Sequence, residues 1–322
     1  MPKAGLALRG AYSEAFRAPN TPESGPTSRA TFGGANVTDT ARTGFVPPDQ
    51  LEVAPIFVQQ GNPKVAPEKS QSFNLGLVWD ATPKTSIAVD LWQIRRKGLI
   101  VLEDPQHAVD AGHVIRDPAT ATGPGDPGAI LNGYVTFINA TQGLTSGIDV
   151  DLKHRFAIDG WGNVTLGATL THLYKQEVTD ADGTVHAYAG THGNCLTTNC
   201  MGSPRDRANL VASWDYEAWR WAASLYYRSG MSNRMEAGAP CASSLADGSD
   251  APAGCRIASF TTVDVSVVRR FGANTELFGS VQNVFDRVAP FDPLTYGAIG
   301  YNPLDHAGAV GRFYTVGLRH RF

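Results

Sequence analysis

GRFYTVGLRHRF, residues 311–322, is the stretch whose reading decides the fold. At a period of two, Tyr314, Val316, Leu318, His320 and Phe322 share one face, while Phe313, Thr315, Gly317, Arg319 and Arg321 share the other. One face is mostly apolar and the other mostly polar, so the segment reads as a strand with two different surroundings. It stops on an aromatic residue, which suits a strand closing a sheet in lipid better than an edge strand in water.

Working outward, the composition agrees with a large all-β unit. The 322 residues include 34 Gly and 20 Pro to supply turns, only 18% are charged, and the 42% that are hydrophobic are spread thinly. No run of about 18 apolar residues occurs, which excludes a membrane-spanning helix but not spanning strands, whose alternation leaves hydropathy low. A net charge of −3 argues against a nucleic-acid surface. The start, MPKAGLALRG, passes directly into an alternating strand without the apolar core of a secretory signal. The expectation is that an amino-terminal part of a longer protein precedes it.

Alternating segments recur along the whole chain. They begin at Gly5 and reappear in the hairpin around Thr82-Pro83-Lys84, where Phe73, Leu75, Leu77 and Trp79 share a side. A long strand over 134–158, with a glycine irregularity in its middle, aligns Ile148, Val150 and Leu152. After the turn Asp159–Gly162 come strands at 164–171, 210–216, 219–227 and 262–267, the last aligning Val263, Val265 and Val267. Phe271-Gly272-Ala273-Asn274 then turns the chain into TELFGSVQNVF. Residues 18–69 are too rich in proline for a sheet interior, and 101–132, containing PATATGPGDPG, reads as irregular. Further loops fall near 176–204, 232–256 and 287–310.

About ten strands result, joined alternately by turns of a few residues and by long loops. A soluble sandwich has no reason to sort its connections this way, whereas an antiparallel transmembrane β-barrel places short turns at the periplasmic end and long loops outside. The named apolar residues then face lipid. Asp149, Asp151, Lys153, Arg155, Asp264, Arg319 and Arg321 face inward, either as ordinary lumen residues or along a solute path. Aromatics at both ends of the 210–227 pair suit interface girdles. Four cysteines sit in two long loops, so Cys195 with Cys200 and Cys241 with Cys255 fit disulfides in an oxidising compartment, with a metal site made with His192 as the alternative.

FRAPN at 16–20, PEKSQSFNLGLVWDATP at 67–83, SGIDVDL at 146–152, VQNVFDR at 281–287, and GYNP followed by the terminal strand resemble the TonB-dependent outer-membrane receptors in order and spacing. The resemblance covers nearly the whole chain. It implies that residues 1–322 are the carboxy-terminal portion of a barrel domain that would have 22 strands, with the plug, the TonB-binding box and the earlier strands lying elsewhere. It implies a cell outer-membrane location and high-affinity uptake of a scarce solute such as a ferric siderophore. The implied partners are outer-membrane lipid, the barrel-assembly machinery, the TonB complex through the missing amino-terminal part, and a small-molecule chelate; no cofactor is implied. Gly317 and Phe322 match the terminal signal read by the assembly machinery, and His320 departs from the aromatic residue usual there. His186, Tyr188, His192, Phe291, Tyr296, Tyr301 and His306 are the loop residues suited to contact a chelate. A barrel hydrolase and a secreted glycan-binding β-sandwich are the rival classes. The eight histidines are scattered, with no spacing that brings a Ser/His or Asp/His pair together on adjacent strands, so no enzyme is expected.

Overall fold

The computed structural model describes residues 5–32, 35–180, 183–193, 202–241, 255–292 and 300–322. Ten long strands follow in chain order: β1 Leu6–Arg17, β2 Glu68–Thr82, β3 Thr85–Leu102, β4 Ala129–Ile158, β5 Gly162–Thr179, β6 Asp206–Tyr216, β7 Trp219–Arg228, β8 Phe260–Phe271, β9 Thr275–Gln282 and β10 Phe313–His320. Each pairs antiparallel with its neighbours in sequence, giving an uninterrupted meander. Among the described residues β1 and β10 are each paired along one edge only, so the sheet is open.

Register explains why one face is apolar. Leu6, Trp79, Ile87, Leu152, Ala168, Leu210, Leu225 and Val263 are successive cross-strand partners from β1 to β8, a row without one polar residue. A one-residue slip in any strand would break the row, so the belt and the register specify each other. Leu75 is 55% and Leu77 42% exposed on this face, which only lipid makes favourable. At the short-turn end Trp161, Trp214 and Tyr216 stand 5.9–6.5 Å apart, and Arg269 lies 4.9 Å over Trp219 and 4.6 Å over Phe271. This is an interfacial girdle, with a cation placed where headgroups begin.

Leu75→Arg in the belt is expected to cost about 2–4 kcal/mol, while Asn74→Arg on the opposite face is tolerated. Unfolding from lipid vesicles by urea measures both, and equal costs would reject the face assignment.

The irregularity foreseen in the middle of β4 sits mainly in its partners. Between Leu173 and Lys175 the register of β5 shifts by one, with Tyr174 the extra residue opposite Gly147 and Ser146. Two more shifts lie further out between β3 and β4, on either side of Leu99, one skipping Gly98 of β3 and the other Ala140 of β4. Nor are 18–69 and 101–132 wholly irregular. Ile56–Gln60, a proline-free run, pairs parallel with Asn132–Thr136 of β4 and antiparallel with Arg29–Phe32, while Val114–Asp117 pairs with β4 on its other side. Between them Val37, Phe57, Ala108, Val109 and Val135 form a buried core, with Phe57 and Val135 fully enclosed. Proline keeps a residue out of a sheet interior only where it falls within the run; here Pro55 and Pro63 flank IFVQQ, whose Phe57 is buried over Gly133 of the extended β4. Two ion pairs tie this cap together, Arg116 with Asp39 at 2.8 Å and Arg42 with Asp126 at 2.8 Å. The Arg42 guanidinium holds the Asp126 carboxyl well below the usual carboxylate range.

Candidate functional site

The long-loop end of the polar face is where charged and hydrogen-bonding side chains converge. Arg228 ends β7 and points to the polar face, where it donates from Nε to Asp305 Oδ1 at 2.7 Å and from Nη1 to the carbonyls of Ser229 and Ala258. Asp305 is fully buried and receives the second Arg228 nitrogen as well. The pair therefore pins the segment 300–307, part of the β9–β10 connection, onto the sheet.

Nearby, Asn302 caps the turn Pro303–Asp305 by accepting from Leu304 N and donates to Asp292 Oδ2 at 3.1 Å. His192 Nε2 stands 3.3 Å from the same carboxylate oxygen, and its Nδ1 faces Gly193 O at 2.9 Å. His192, Asp292 and Asn302 are all buried, so a single polar network joins the β5–β6 connection to the β9–β10 connection. Below it Asn283 donates to the carbonyls of Arg287 and Ala307, while its backbone N–H donates to Asp264.

His186 links the β5–β6 and β7–β8 connections. Its Nδ1 lies 2.5 Å from Glu236 Oε2 and its Nε2 2.9 Å from Asp180 Oδ2, so both ring nitrogens donate when the ring is protonated. Burial opposes the charge, but the two carboxylates outweigh it and raise the His186 pKa above its usual value. A raised folded pKa places this contribution fully below the unfolded value of about 6.5, and it is lost as pH rises through the folded pKa. Protease nicking of the β5–β6 connection is therefore expected to accelerate as pH climbs from 6 toward 9, and His186→Gln to flatten that profile. An unchanged profile in the variant would remove the link.

Two cavities open on the polar face beneath these connections. One of roughly 390 Å3 is bordered by Tyr226, Arg228, Asp264, Asp305 and His306, and the other, of roughly 370 Å3, by Trp92, Leu173, Gln176 and Ser203; Arg207 borders both.

The loop residues named from the sequence are thus scattered in role. Tyr188 and His192 are buried and hold the connections together instead of presenting rings to solvent. His186 is in the link just described. Phe291 and Tyr301 are bridged to each other, with Phe291 43% exposed, and His306 is exposed beside the larger cavity. Tyr296, Cys195 and Cys200 lie outside the described residues. Cys241 and Cys255 are joined, with Cα atoms 5.5 Å apart. Among the described residues no group of three His, Cys, Asp or Glu could hold a metal ion. Of the inward charges, Asp149 accepts from Thr171, Arg319 approaches Glu276 at 3.5 Å, and Lys153 and Arg155 border a cavity at the short-turn end. Gly317 matters locally because a Cβ there would meet the Phe278 ring at 2.1 Å, so the ring lies over the glycine of the neighbouring strand. Phe322 is exposed and packs edge-on with His320 at 4.8 Å. Trp92, Arg207, Arg228, Asn302 and Asp305 were not singled out from the sequence. Alternation alone could have put Trp92, Arg207 and Arg228 on the inward face.

The sequence model of the family described as TonB dependent receptor-like, beta-barrel matches residues 1–284. The chain belongs to this family. TonB-dependent receptor barrels are outer-membrane proteins, which accords with the lipid belt and the sorting of turns and loops. Comparison with curated protein sequences finds no match. Among solved structures, a mutant of the ferric enterobactin receptor PfeA from Pseudomonas aeruginosa superposes with a TM-score of 0.64 at 16% identity, covering 100% of this chain and 39% of that one. The siderophore receptor PirA from Acinetobacter baumannii gives 0.63 at 16%, covering 98% and 39%. The copper transporter OprC gives 0.55 at 13%, covering 100% and 38%. At these identities the likeness is one of fold, and the chain spans about two fifths of the length of these TonB-dependent proteins.

Proposed function

We propose that residues 1–322 are the carboxy-terminal portion of the barrel domain of an outer-membrane TonB-dependent receptor, and that the whole protein imports a scarce solute, a ferric siderophore. The observation that carries this reading is the division of the sheet into an apolar face and a polar face whose long-loop end is walled, cross-linked and hollowed by two cavities. A solute arriving from outside meets this end first. The neighbours add support, since one PfeA structure is described as a complex with enterobactin, although OprC is described as a copper transporter.

In this reading the lipid belt rests in the outer membrane, the barrel-assembly machinery inserts the sheet, and the TonB complex acts on the remainder of the protein. The protein is a transporter and not an enzyme. The test is uptake of a radiolabelled ferric chelate by a receptor-deleted strain carrying the full-length gene. Uptake abolished by deletion of TonB supports the proposal. Esterase or protease activity of the purified protein, with no energised uptake of any chelate, would replace it with the hydrolase reading.

A further inference from the structure

From the smaller cavity we infer a binding subsite for a planar aromatic oxyanion, with the Arg207 guanidinium as its anion-binding group and the Trp92 indole as its wall. Arg207 is paired across the strands with Thr171 on β5 and with Arg228 on β7. Two arginines directly opposite each other repel unless both are neutralised. Arg228 is neutralised by Asp305 and its other donors are taken by carbonyls. Arg207 makes no side-chain hydrogen bond or ion pair among the described residues, and it is the only charged residue bordering the cavity of roughly 370 Å3. Asp149, on the strand next to β5, accepts from the Thr171 hydroxyl at 2.7 Å and does not border the cavity.

The cavity is built by two local features of the strands. A Cβ on Gly147 would meet the Trp92 ring at 2.5 Å, so the glycine leaves the indole room to lie across β4 toward β5. The extra residue Tyr174 resets the alternation of β5, which brings Leu173 and Gln176 onto one face where a regular strand would oppose them. Trp92, Leu173 and Pro204 are then apolar surface, while Gln176, Ser203 and Arg207 offer hydrogen bonds. A guanidinium fork beside an indole face recognises a flat ring bearing a carboxylate or phenolate group. The subsite goes beyond the receptor reading and relies on it only for the polar face being the one a solute reaches.

The test uses the full-length protein carrying this chain, in detergent, with 4-fluorobenzoate and the neutral 4-fluorobenzamide followed by fluorine relaxation. Benzoate is expected to bind at least tenfold more tightly than the amide. Arg207→Gln should remove that preference, Arg207→Lys should keep part of it, and Trp92→Leu should weaken both probes alike. Equal binding of the two probes, absence of benzoate binding, or an undiminished preference in a folded Arg207→Gln protein would each overturn the inference. If Arg207→Gln does not fold, the comparison of the two probes on the unaltered protein still decides, because charge alone separates them. Energised uptake without any benzoate preference would remove this subsite and leave the receptor reading standing.

Discussion

Asp305→Ala is expected to release the segment 300–307 from the sheet at a cost of about 3–5 kcal/mol, the usual penalty for stranding one member of a buried ion pair. The Arg228 side chain is 7% exposed and that of Asp305 is fully enclosed, so water cannot replace the lost carboxylate. The substitution also leaves Arg228 charged beside Arg207, its unneutralised cross-strand partner. Proteolysis of the β9–β10 connection should accelerate on the order of a hundredfold or more, since cleavage follows the open population of a local unfolding event. The paired replacement Arg228→Met with Asp305→Leu removes both charges and should return most of the resistance. A nick rate unchanged in Asp305→Ala would show that other contacts, such as Asn302 with Asp292, hold this segment.

The strands and their facing were legible because lipid and lumen impose a period of two that survives in single residues. Val263, Val265 and Val267 against Thr262, Asp264 and Ser266 are enough to orient β8. The cap over the first two loops was not legible. Its core draws Val37, Phe57, Val109 and Val135 from four separate segments, and such pairing between distant parts of the chain leaves no local pattern. The Tyr174 bulge was equally hidden, because a single inserted residue changes which side chains share a face without changing composition. The polar network was partly legible at best. His192 and His306 were noticed as histidines, yet the fold buries the first and exposes the second, and only tertiary placement separates a loop pin from a cavity wall. Residue type draws attention to the loops, whereas register is needed to place Arg207 and Trp92 beside one cavity.

Expression of residues 1–322 alone in a receptor-deleted strain is expected to give no TonB-dependent uptake of any ferric chelate, a complete loss relative to the uptake proposed for the full-length protein. The first ground is the open sheet. Along β1 the backbone groups from Leu6 to Arg17 that face away from β2 have no strand partner among the described residues, and the outer edge of β10 is in the same state. Unpaired edges in hydrocarbon cost several kcal/mol per unsatisfied group, so the chain must either associate edge to edge or close β1 onto β10 as a narrower barrel. The second ground is mechanical. Energised transport needs a movable element pulled from the periplasm, and all ten strands are tied in one continuous hydrogen-bonded sheet that offers none. Closure would bring passive leak at most, insensitive to TonB, and association would bring oligomers on native gels. Uptake by this stretch alone that disappears when TonB is deleted would refute both grounds together, because it would require a coupling element within the ten strands or their connections.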